Sequence, residues 1–99
     1  MRGGWFVGDF QPNVFKTKKF EVGYKIHKKG ELWPKHYHRK ATEINCLISG
    51  KMNLNQTTLQ EGDIFVIEPG EAASPKFLEE CCLIVIKVPG CKKDKYEVV

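Results

Sequence analysis

The stretch Gly30-Glu31-Leu32-Trp33-Pro34-Lys35-His36-Tyr37-His38-Arg39-Lys40-Ala41-Thr42-Glu43-Ile44-Asn45-Cys46-Leu47-Ile48-Ser49-Gly50 decides how this chain folds. Its second half contains Ile44 to Ile48, a short apolar run closed by Ser49-Gly50-Lys51, which reads as a strand ending in a tight connection. His36 and His38 stand two apart, so on an extended segment both imidazoles leave from one face, about 6.5 to 7 Å apart at the backbone, and can converge on one ion. Glu43 can supply a carboxylate. Two imidazoles and one carboxylate make a facial triad with open coordination positions, which suits Fe(II), Mn or Zn. The same spacing also fits two hydrogen-bonded or solvent-facing histidines on a strand.

Working outward, runs of the same kind recur: Phe20 to Ile26, Lys51 to Asn55, Asp63 to Ile67 and Cys82 to Val88. Gly30, Gly50, Gly62, Pro69-Gly70 and Pro89-Gly90 punctuate them, and no stretch of 10 to 12 residues carries a helical apolar stripe. The spacing predicts an all-β sandwich or barrel. Asn55-Gln56 reads as the tip of a hairpin between Lys51–Asn55 and Thr57–Gln60. Ile64-Phe65-Val66-Ile67 is apolar at every position, the pattern of a strand covered on both faces.

At 99 residues the chain has material for one hydrophobic core, so residues 1–99 read as a single domain. A 41% apolar and 28% charged composition is that of an ordinary globular protein and excludes a disordered segment. The net charge of +4 favours an anionic small molecule but is modest for a nucleic-acid binder, and no basic motif interleaved with aromatics is present. No apolar run approaches the roughly 20 residues of a membrane span, and the N-terminus lacks a signal-like apolar region. Cys46, Cys81, Cys82 and Cys91 form no C-x-x-C pair and read as free thiols, so the expected compartment is the cytoplasm. The tail Lys92-Lys93-Asp94-Lys95 reads as a solvated terminus.

The stretch 30–50 resembles the first motif of the cupin superfamily, G-x5-H-x-H-x(3,4)-E-x6-G, and matches it at Gly30, His36, His38, Glu43 and Gly50. The second cupin motif, G-x5-P-x-G-x2-H-x3-N, is similar to Gly62 through Phe77: Gly62 and Gly70 fall in register, while Glu68, Ala73 and Phe77 occupy its proline, histidine and asparagine positions. The resemblance spans residues 20–88 and implies a cupin-type β-barrel, or double-sheet jelly roll, with a site in its mouth. It also implies that His36, His38 and Glu43 are three of four metal ligands, with Ala73 where the fourth would be. Glu71 has the strand parity of Ala73 and can either replace that ligand or serve as a solvated turn acid, as can Glu68 if a bulge intervenes.

Parity places Asn45 on the face of Glu43, and offers Tyr24 and Ile26 as the opposite wall, with Trp33 as a rim over the entrance; Tyr24, Asn45 and Trp33 are therefore the candidate substrate contacts. His27 has the opposite parity to Tyr24 and Ile26 and reads as a surface histidine. Lys25, Lys28, Lys29, Lys35, Arg39 and Lys40 cluster around the first motif and can draw in a carboxylate or phosphate, or simply solubilise a strand edge. Two function classes remain open. One is a metal-dependent enzyme acting on a small polar, anionic or sugar-like metabolite, for which the resemblance allows isomerisation, oxygenation or decarboxylation; the other is a metal-free ligand-binding module without turnover. Trp5-Phe6-Val7 and apolar strand edges further suggest a homodimer.

Overall fold

β-Branched and aromatic residues dominate the segments that become extended, and glycine-centred turns divide them before any helix can nucleate. A computed structural model describes residues 2–33, 35–90 and 95–97. Among them the strands are β1 (Trp5–Val7), β2 (Glu21–His27), β3 (His36–His38), β4 (Thr42–Ser49), β5 (Lys51–Leu54), β6 (Thr57–Gln60), β7 (Ile64–Ile67), β8 (Pro75–Phe77), β9 (Cys81–Val88) and β10 (Lys95–Glu97). A single 3-10 turn at Arg2–Gly4 precedes them. No helix among the described residues is long and apolar enough to cross a membrane.

The strands make two layers. One is an antiparallel sheet in the order β1-β2-β9-β4-β7. Facing it are the sheet β6-β5-β8 and the pair β10-β3, which meet through single bridges at Leu32–Lys76 and His36–Ala73. Leu47, Met52, Phe77, Cys81, Leu83 and Val85 fill the space between the layers, with Trp5, Trp33, Leu59 and Phe65 packed against them. The architecture is the expected double-sheet β-barrel.

The hairpin tip falls where the sequence puts it. Asn55 and Gln56 both have positive φ (49° and 74°), so Leu54 and Thr57 pair directly across a two-residue turn of the primed kind. Gly50 is required by the opposite layer: its φ is +98°, and a Cβ there would lie 2.3 Å from the Glu80 carbonyl oxygen. Leu47 and Ser49 flank an irregularity in the β4–β9 register just before this turn.

Two readings need correction. β7 is the edge of its sheet, so Ile64 and Val66 are 69% and 46% exposed and only Phe65 and Ile67 turn inward; an unbroken apolar run does not prove cover on both faces. Lys95, assigned to a solvated tail, begins β10, whose backbone pairs with His38, Tyr37 and His36. The remainder of that charge run, residues 92–94, lies outside the described residues, as does Cys91.

Gly23 is the position where the barrel admits its first aromatic. It pairs with Trp5, and a Cβ on it would come within 2.8 Å of the indole Cε3. Gly23→Ala should therefore expel or tilt Trp5 and destabilise the chain by about 1–3 kcal/mol, the usual cost of overpacking. Urea unfolding followed by tryptophan fluorescence in a Trp33→Phe background measures both effects.

Candidate functional site

The register of the five-stranded sheet decides which side chains face the interior. Across β2, β9, β4 and β7 the first inward row is Glu21, Lys87, Glu43 and Ile67, and the next is Gly23, Val85, Asn45 and Phe65. Lys25 and His27 continue the inward set of β2. The apolar residues of that strand, Val22, Tyr24 and Ile26, face out. The facing layer contributes His36, His38, Met52, Leu54, Ala73, Pro75 and Phe77, and together these side chains enclose a cavity of about 240 Å³.

His36, His38 and Glu43, the three residues singled out by the first motif, all line this cavity. His38 is buried, and its Nε2 donates to Glu43 Oε2 at 3.0 Å. The His36 and His38 rings stand edge to face with centroids 5.7 Å apart. Burial pushes the Glu43 carboxyl up, yet the hydrogen bond and charge of His38, the Asn45 amide and the charge of His36 together hold it below its ordinary value. Asn45, itself buried, reaches Glu43 Oε1 at 3.3 Å through Nδ2, so its amide orients the carboxylate. His38 Nδ1 is buried with no hydrogen-bond partner among the described residues, an arrangement that costs stability.

The donor set is of the right chemistry for a divalent cation. Two ligands about 2.1 Å from one ion and about 90° apart stand about 3 Å from each other, which is the spacing of His38 Nε2 and Glu43 Oε2. The third donor does not close on them: among the described residues no three His, Cys, Asp or Glu side chains enclose one point as they stand. His36 would have to turn its ring to complete the set. Ala73 pairs with His36 through two backbone hydrogen bonds, His36 N to Ala73 O at 3.1 Å and Ala73 N to His36 O at 2.7 Å, and it lines the cavity. A methyl therefore occupies the place of the fourth ligand. Glu71 does not replace it, since it is exposed and its Oε1 accepts from the Glu68 N–H at 3.0 Å, capping the turn; Glu68 is exposed as well.

Trp33 and Asn45 line the cavity as proposed from sequence; Tyr24 does not. Tyr24 lies on the outer face, 43% exposed, and the neighbouring Cys82 thiol raises its phenol pKa by hydrogen bonding. Parity groups Tyr24 with the other apolar residues of β2 but does not say which side is the inner one, and the inner side is the one that holds Glu21, Lys25 and His27. His27 is the converse correction: its side chain is only 12% exposed, stacks on Phe77 at 4.3 Å and lines the cavity. Lys25 also lines the cavity, its ammonium 4.6 Å from the centre of the Trp5 ring, with Lys87 at 5.3 Å. Lys28, Lys29, Lys35, Arg39 and Lys40 are exposed outside it.

No protein-family model matches the chain, and no curated protein is detectably similar to it in sequence. Solved structures match it in fold. An uncharacterized conserved protein with a double-stranded β-helix domain from Klebsiella pneumoniae superposes with a TM-score of 0.75 at 21% identity, over 83% of this chain and 72% of that one. A cupin-2 domain protein from Shewanella frigidimarina gives 0.60 at 21%, over 73% and 72%. The nucleoside dehydratase Pac13 from Streptomyces gives 0.70 at 13%, over 83% and 70%. The class of fold is thus the double-stranded β-helix of the cupins, as the two motifs implied.

Beside the cluster, Glu31 accepts from the Trp33 indole N–H at 2.5 Å, from His27 Nδ1 at 2.6 Å and from the Lys28 backbone N–H at 3.2 Å. The Trp33 and His27 hydrogen bonds, against partial desolvation, lower its carboxyl pKa from 4.5 to about 2. A depressed folded-state pKa stabilises the fold above the unfolded value and loses that stabilisation as pH falls. Stability should therefore drop between about pH 4.5 and pH 2, and Glu31→Gln should flatten that drop, leaving the share that Glu43 contributes in the same direction. Chemical denaturation at stepped pH measures the difference.

Proposed function

We propose that this barrel takes a small polar metabolite, anionic or rich in hydroxyls, and that His36, His38 and Glu43 hold a divalent Fe, Mn or Zn ion beside it. The observation that carries the reading is the meeting of two imidazoles and an ionised carboxylate inside a cavity of about 240 Å³. Asn45 orients the carboxylate and Trp33 supplies an aromatic wall. Lys25 lines the same cavity and brings a positive charge to meet an anionic group. A cation held by these three residues would supply Lewis-acid polarisation of a bound oxygen. The likeness to Pac13, which is named as a nucleoside dehydratase, fits a hydroxyl-bearing ligand.

A second reading is favoured by Ala73 and by the direct His38–Glu43 contact: a metal-free pocket that binds its ligand through the imidazoles. Metal quantification after reconstitution with Fe(II), Mn(II) or Zn(II) separates the two. His36→Ala and His38→Ala should each nearly abolish occupancy, because a three-donor site has no spare ligand, and Ala73→His should raise affinity. Unchanged metal content in both histidine variants would eliminate a metal site at His36, His38 and Glu43 and leave the metal-free reading of the pocket. Free Cys46, Cys81 and Cys82 fit a reducing compartment such as the cytoplasm.

The partner best suited to the outer face is a second copy of the chain. Val22, Tyr24, Ile26, Ile44, Cys46, Ile48, Ile64, Val66, Cys82, Ile84, Ile86 and Val88 all point outward on adjoining strands, and none of them carries a formal charge at neutral pH. A broad uncharged face is self-complementary across a two-fold axis. Sedimentation equilibrium at high micromolar concentration should give a dimer, and the pair Ile26→Lys with Ile64→Lys should give a monomer. A monomeric wild-type chain would remove this proposal.

A further inference from the structure

His27 lies outside both motifs, yet its imidazole is held in the wall of the same cavity. Three contacts fix its ring: it stacks on Phe77 with centroids 4.3 Å apart and planes 14° from parallel, meets the Trp33 ring edge to face at 5.4 Å, and places Nδ1 2.6 Å from Glu31 Oε2. Trp33 spaces it from His36, with a Trp33–His36 centroid distance of 6.3 Å, so the rings of Phe77, His27, Trp33, His36 and His38 follow one another around the cavity wall. An ionised carboxylate only accepts, so Nδ1 carries the proton, and in the neutral ring it is Nε2 that holds the lone pair. Glu31 is itself held by the indole and the Lys28 N–H, which leaves the dyad one tautomer and one orientation.

The geometry points to His27 as a second proton-transfer residue of this cavity, acting through Nε2 on a 2-hydroxy carbonyl compound whose oxygens lie toward His36, His38 and Glu43. This rests on the proposed reading that the cavity takes a hydroxyl-bearing metabolite. Nε2 takes the hydrogen on the carbon next to the carbonyl as a proton. The C–H electron pair stays on the substrate as an enolate, and a new N–H bond forms on an imidazolium that Glu31 stabilises. The proton, or one exchanged with solvent, then returns to that carbon and regenerates the carbonyl. No oxidant, reductant or co-reactant is consumed. Lys25 on the same strand, Glu43 on β4 and Lys87 on β9 share the cavity and set its field. Glu31 is the positioning residue: it holds the tautomer and does not touch the substrate.

The test incubates the full chain in D2O with a panel of 2-hydroxy acids, aldoses, ketoses and their phosphates. Proton NMR reads loss of the C–H signal, and ligand-observed NMR reads binding. At least one probe should bind and exchange. His27→Gln should keep the binding, which certifies the fold, and lower exchange by about 100-fold or more. Long-range nitrogen–proton spectra of the ligand-free chain should show His27 protonated at Nδ1, with that tautomer lost in Glu31→Gln. Binding without exchange, exchange unchanged in His27→Gln, or a wild-type His27 protonated at Nε2 alone would each overturn the role of His27 and leave the proposed ligand class standing. No binding of any probe would overturn both.

Discussion

Lys87 projects inward from β9 with Glu21 of β2 directly across on one side and Glu43 of β4 on the other. Its ammonium lies 3.4 Å from Glu21 Oε1, and both partners are nearly shut off from solvent. A buried charge pair of this kind adds little net stability, but losing one partner strands the other at a cost of about 3–5 kcal/mol. The row therefore acts as a constraint on register. Sliding β9 by one residue against its neighbours would turn Lys87 outward, strand the Glu21 carboxylate inside, and send Leu83 and Val85 out of the core.

The same constraint gives the large sheet its unusual polarity. Its inner surface carries Glu21, Lys25, His27, Glu43, Asn45 and Lys87 alongside the apolar core, and its outer surface carries the β-branched residues. Polar groups are tolerated inside because they satisfy one another: Lys87 with Glu21, His38 with Glu43, Asn45 with Glu43, His27 with Glu31. His38 Nδ1 is the buried exception among the described side chains, and it belongs to the cluster where a ligand is proposed to bind.

The short strand that carries His36 and His38 is placed by both of its edges. The backbone of β10 pairs along one side, and Ala73 bridges to His36 on the other. Three residues of strand could not hold two imidazoles in place by themselves. Ala73 thus has a structural part whatever its lack of a ligating group means for metal affinity. The bridge fixes His36 while the methyl leaves room beside it.

Much of the architecture was legible in the chain. Glycine-spaced β-branched runs indicated an all-β barrel, the Asn55-Gln56 tip was placed correctly, and the H-x-H…E spacing gathered His36, His38 and Glu43 because strand parity is a local property. Asn45 followed from the parity of Glu43. What local reading lacked was the choice of which face of each strand looks inward. Hydrophobicity points to the wrong side of β2, since its inward charges find partners on strands remote in sequence, Lys87 for Glu21 above all. For that one reason Tyr24 stands outside the cavity and His27 inside it, the reverse of what the pattern of β2 suggests. The exposure of Ile64 and Val66, and the pairing of β10 with the histidine strand, likewise depend on which strand ends up at an edge. Alternation fixes which residues share a face; only the closing of the barrel, which brings distant charges together out of water, decides which face is the inside.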